Sequence, residues 1–209
     1  MKNINLLLKH YFSISVIDLE MDCMKQRRDA LDKGQISLLR LLEYCVENRH
    51  FHFLFLKKAD RIPFIESVAQ KLENANILYG NYANFEELYD AVKNAIGNVK
   101  GIADLMLYDM SRMIGYAHKP VIVPKDYVYL HQGAKEGARS LLKVNRLPFR
   151  VPTATFKNIF PDVDSQYIED ILCIYKEDFK KRIFDPNDPR HKDCKPVCKF
   201  TCNINPVLI

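Results

Sequence analysis

The residues of this chain that could do chemistry fall in three places. Near the carboxyl end, His191, Cys194, Cys198 and Cys202 follow one another closely, a nitrogen and three sulfurs of the kind that close a tetrahedral zinc site. In the middle, Gly97-Asn98-Val99-Lys100-Gly101-Ile102 joins two amphipathic stretches. A turn bounded by glycines that leads into a helix aims unpaired backbone amides, and the positive end of the helix dipole, at an anion. Lys100 adds a cation at the same place. Farther on, Pro124-Lys125-Asp126-Tyr127 presents a carboxylate that can cap a helix starting at Tyr127 or take part in acid–base work.

The elements that must position these groups read as helices almost throughout. Phe85, Leu88, Tyr89, Val92 and Ile96, and again Ile168, Ile171, Leu172, Tyr175, Phe179 and Ile183, recur at helical spacing. Further helices are expected over 35–48, 63–74, 102–114 and 127–143, and only 52–56 and 121–123 look strand-like. Asn84 before Phe85-Glu86-Glu87 marks one helix start, and Asp164 or Ser165 marks another. Pro120 and Pro124 bracket Val121-Ile122-Val123 as an extended crossing, and a second connector runs through Pro148 and Pro152. Gly133-Ala134 and Gly137-Ala138 flatten one face of the 127–143 helix for close packing of a neighbour.

The 209 residues, 48% hydrophobic and 27% charged with seven Gly, exclude a disordered or low-complexity chain. The expected fold is all-α: a two-lobed helical bundle over 1–184, with 30–118 as a central lobe and 1–29 joined by 119–184 as a second. Residues 185–209 form a cysteine-containing tail opened by the turn chemistry of Asp185-Pro186-Asn187-Asp188. The longest apolar runs, 14–17 and 51–56, are far shorter than the ~20 residues of a membrane-spanning helix, so no membrane partner and a cytoplasmic location are expected. Cys23, Cys45 and Cys173, scattered in helical patterns, read as reduced core thiols. A formal net charge of +5 permits a polyanionic partner.

The order of features over roughly residues 85–140 resembles the helix-hairpin-helix DNA glycosylase superfamily, and within it the 8-oxoguanine glycosylase branch. The residues that carry the resemblance are Lys100 near the glycine turn, Ala103-Asp104, Lys119-Pro120, and Pro124-Lys125-Asp126. The resemblance implies a grip on double-stranded DNA by Gly97, Asn98, Val99, Gly101 and Ile102. It also implies excision of a modified purine, with Asp126 stabilising the cationic sugar formed as the glycosidic bond breaks. Lys100 lies one position before the family's amine nucleophile, so it is expected as an assistant and a lyase step is not. Tyr79, Tyr82, Tyr116, Tyr127 and Tyr129 either stack on an extruded base or line the core rim. Two other readings stay open: a non-catalytic helix-hairpin-helix nucleic-acid-binding module, and a helical interaction protein whose tail holds a structural metal.

Overall fold

The computed structural model describes residues 2–15, 17–47 and 58–188. In chain order these form α1 (Ile4–Ile14), α2 (Ile17–Asp32), α3 (Leu38–Glu47), α4 (Lys58–Asn74), a 3-10 turn (Ile77–Tyr79), α5 (Phe85–Ile96), α6 (Asp104–Ala117), β1 (Tyr127–Tyr129), α7 (Gln132–Leu142), β2 (Arg150–Pro152), a second 3-10 turn (Thr153–Phe156), α8 (Ser165–Ile174) and α9 (Lys176–Lys181). The fold is predominantly helical, with one small two-stranded sheet. No helix among the described residues is long and apolar enough to cross a membrane.

The chain divides into two compact units, one comprising described residues in 2–18 and 124–188, the other those in 19–123. In the first, α1 contributes Leu7 and Tyr11 to a core completed by Val128, Leu130, Val151, Phe156, Phe160, Ile168, Leu172 and Phe179. In the second, α6 is the enclosed element, with every residue from Met106 to Ala117 buried. The expected division at 29/30 and 118/119 lies inside this second unit. The reason is that α2 is anchored there: Arg28 donates to the Ala117 carbonyl at 3.2 Å, and the Lys119 ammonium sits 2.9 Å from Asp29 and 2.7 Å from Asp32.

Several local expectations are corrected. Residues 127–129 are not the start of a helix but strand β1, which pairs antiparallel with β2 in the register Tyr127 with Pro152, Val128 with Val151 and Tyr129 with Arg150. α7 begins only at Gln132. The partner strand that decides the matter lies more than 20 residues away. Val121-Ile122-Val123 runs extended without strand pairing, and 52–56 lies outside the described residues. The single helix expected through Ile168 to Ile183 breaks at Tyr175 (φ −100°, ψ 23°), giving α8 and α9. Cys23 is disulfide-bonded, whereas Cys45 and Cys173 are free thiols.

Candidate nucleic-acid interface

α5 starts where the sequence signals place it. The Asn84 side chain accepts from the Glu87 amide at 2.9 Å, and Glu87 reciprocates by accepting from the Ala83 amide at 2.9 Å. One amide that the helix start leaves orphaned, that of Glu87, is thereby satisfied, and the Ala83 amide just before the cap is tied to the first turn. Phe85, Leu88, Tyr89, Val92 and Ile96 are all buried, and Phe85 meets Tyr108 of α6 edge-on at 6.0 Å. This packing fixes the angle at which the two helices enter their connecting turn.

The turn is closed by its own backbone. Gly97 donates to the Lys93 carbonyl at 2.7 Å, Val99 to Ile96 at 2.9 Å, and Ile102 to Val99 at 3.1 Å. Only Gly101 needs a left-handed backbone (φ +98°), a conformation that L side chains rarely adopt. Gly97 is right-handed helical. Val99 and Ile102 are half-buried, and Gly97, Asn98, Lys100, Gly101 and Ala103 are exposed. Among the described residues, the amides of Lys100, Gly101 and Ala103 donate to no protein atom, and α6 starts without a side-chain cap. Lys93, in the last turn of α5, adds a second exposed cation, and Asp104 is the acid of α6's first turn.

Asp126 is held by backbone. Its carbonyl accepts from the Thr153 amide at 2.9 Å, and the preceding Lys125 carbonyl lies 2.8 and 2.6 Å from the Thr153 and Ser165 hydroxyls. The carboxylate itself is exposed at the start of β1. It caps no helix, which corrects the expected N-cap role. Lys100 belongs to the second unit and Asp126 to the first, so neither unit alone assembles the expected pair.

Other residues quoted for the resemblance serve the fold. Lys119 is engaged by Asp29 and Asp32; hydrogen bonds from Lys119, then Arg28, hold the Asp32 carboxyl below the usual carboxylate range, and Asp32, then Asp29, hold Lys119 above its own. Tyr116 and Tyr129 are fully buried, inside the core and not on its rim, while Tyr79 lies 51% exposed beneath the Arg28 guanidinium. The His131 Nε2 atom contacts the Glu169 carboxylate, both side chains largely buried. Among the described residues no group of three or more His, Cys, Asp or Glu side chains could hold a metal. The zinc set His191, Cys194, Cys198 and Cys202 lies outside them.

Sequence reasoning passed over two buried polar features. Arg112, 2% exposed in the middle of α6, donates to Glu20 at 3.1 Å and to the Tyr116 hydroxyl at 3.2 Å. Burial opposes its charge, but Tyr116, Tyr108, Glu20 and Asp109 around it hold the guanidinium well above its usual range. The available signal was an arginine set between Met110 and Met113 in an otherwise apolar stretch. His118 ends α6 with its ring nitrogens 3.1 Å from the Pro120 carbonyl and 2.9 Å from the Gly80 carbonyl. It thereby ties the loop ahead of α5 to the chain leaving α6.

No family model matches the chain, and neither does a curated protein or a solved structure.

Proposed function

We propose that this chain is a non-catalytic nucleic-acid-binding module of helix-hairpin-helix type, gripping the backbone of double-stranded DNA through the turn between α5 and α6. The observation that carries the reading is the turn's exposed rim. Gly101 is left-handed, the neighbouring amides of Lys100, Gly101 and Ala103 are unspent, and the uncapped start of α6 follows directly. Amides and a helix dipole converging on one exposed spot are what a phosphate oxygen requires. Lys93 and Lys100 supply the long-range attraction.

Base excision is left out of the reading because its chemistry asks for more than a phosphate grip. A carboxylate that stabilises a developing sugar cation works from a concave, water-poor site. Asp126 is exposed at the bend before β1, where water screens its charge.

The test is duplex affinity across a salt series, because phosphate contacts release counterions and give a steep dependence. Gly101→Glu places a carboxylate at the rim and imposes a strained backbone, so affinity should fall about tenfold or more. Unchanged affinity in a variant with a wild-type circular dichroism spectrum would overturn the phosphate grip. On duplexes carrying oxidised, alkylated or deaminated bases, wild type and Asp126→Asn should both leave every base in place. Excision by wild type that Asp126→Asn abolishes would restore the glycosylase reading.

A further inference from the structure

The first unit carries a run of cations with no acid among them. Between Glu136 and Asp162 the chain holds Arg139, Lys143, Arg146, Arg150 and Lys157 and no acid. Lys135 and Arg139 stand one turn apart on α7, and Lys143 follows one turn later as its left-handed C-cap. Lys143 and Arg146 are exposed and Lys135 and Arg139 half-buried, whereas Ala134, Gly137 and Ala138 are buried and Gly137 abuts the Leu172 carbonyl of α8.

The acid within α7 does not relieve the row. Glu136 turns to α9, where the Lys176 and Lys180 ammonium groups lie 3.3 and 3.9 Å from its carboxylate. Arg182 adds a further positive charge by donating to the Ser140 carbonyl at 3.1 Å. Elsewhere cations are matched, Arg112 to Glu20, Arg28 to Asp32, and Lys119 to Asp29 and Asp32. Lys135, Arg139, Lys143 and Arg146 make no ion pair among the described residues.

Like charges at i, i+4 repel and destabilise a helix, so a row kept free of acids is one that an external polyanion can neutralise. From Lys135 to Lys143 is about 12 Å along the helix axis. That is the span of a few phosphates on one DNA strand, spaced about 3.4 Å along the duplex. We propose that Lys135, Arg139 and Lys143, continued by Arg146, form a second nucleic-acid contact that takes the sugar–phosphate backbone by charge, without reading bases. Its choice of partner rests on the duplex-binding reading of the α5–α6 turn, but its residues are independent of that turn.

The experiment is fluorescence anisotropy of a labelled random-sequence duplex over a salt series, with wild type, the Gly101→Glu variant and the triple variant Arg139→Gln/Lys143→Gln/Arg146→Gln. The triple variant should bind about tenfold or more weakly, and its salt slope should be shallower by about one for each phosphate that the row no longer neutralises. The charge-retaining variant Arg139→Lys/Lys143→Arg/Arg146→Lys should bind as wild type does, which separates charge from any loss of folding. Unchanged affinity and slope in the triple variant, with Gly101→Glu weakened, would overturn the row and leave the turn standing. Weakening in the triple variant alone would keep the row and overturn the turn. Wild type that fails to shift the anisotropy even at low salt would overturn both.

Discussion

Gly137 gives a sharp test of how α7 is seated. A Cβ built on it would lie 2.0 Å from the Leu172 carbonyl oxygen, 2.8 Å from its carbon and 3.2 Å from the Leu172 Cα. Non-bonded heavy atoms settle at about 3.5–4.0 Å, so Gly137→Ala forces the two helices apart by more than about 1 Å. The obstructing atoms are backbone of a buried helix, and no rotamer change relieves them. Overpacking of this kind costs about 1–3 kcal/mol or more, and the better helix propensity of Ala returns about 1 kcal/mol. A net loss of about 2 kcal/mol should lower the thermal midpoint by about 4–8 °C. Gly133 is the control, because the atom its Cβ would meet first is the Cys173 Sγ at 2.6 Å, a side-chain end that can rotate away. Gly133→Ala should therefore be nearly neutral, more clearly so when compared within a Cys173→Ala background. Calorimetry that finds Gly137→Ala stabilising, or the two substitutions equally costly, would refute the close backbone approach.

Breaking the buried pair with Glu20→Ala should cost about 3–5 kcal/mol, because Arg112 keeps its charge but loses the carboxylate it donates to; a loss under about 1 kcal/mol in urea unfolding would show that the pair is not desolvated. Replacing both partners, Glu20→Met with Arg112→Met, should recover much of that loss. Lys119→Met should raise the Asp32 titration midpoint towards the ordinary carboxylate value, read by carbon-detected NMR, with Arg28 retaining part of the depression. Because Asp32 is depressed in the folded state, its stabilising contribution is present above its unfolded pKa and lost as pH falls through its folded one. The variant should accordingly lose less stability on acidification than wild type, and an unmoved midpoint would remove Lys119 as the cause.

What could be read from the sequence was set by local contacts. α5 is legible because its start signal, Asn84 with Glu87, and its buried stripe from Phe85 to Ile96 lie within 13 consecutive residues. Asp164 shows the limit of the same signal. It stands at the N-cap of α8 but makes no side-chain cap bond there, although the Ser165 beside it points its hydroxyl at the Lys125 carbonyl. The pairs that organise each unit are distant in sequence. Arg112 and Glu20 are 92 residues apart, and the His131–Glu169 pair and the Gly80–His118 clasp are also long-range. No periodicity within one segment announces such a partner.

The contrast between Gly101 and Asp126 follows from the same distinction. The turn between α5 and α6 is closed by hydrogen bonds from Gly97 to Lys93, Val99 to Ile96 and Ile102 to Val99, so its shape is dictated by about ten neighbouring residues and survives whatever surrounds it. The geometry at Asp126 is dictated by Thr153 and Ser165, which hold the Lys125 and Asp126 carbonyls and draw the chain into β1. Those contacts spend the backbone of this segment on the fold and leave the carboxylate outside. A proline-flanked aspartate therefore names a residue type but not its surroundings. The locally fixed turn is what the proposed phosphate grip rests on, and the exposed Asp126 is why base excision is no part of that proposal.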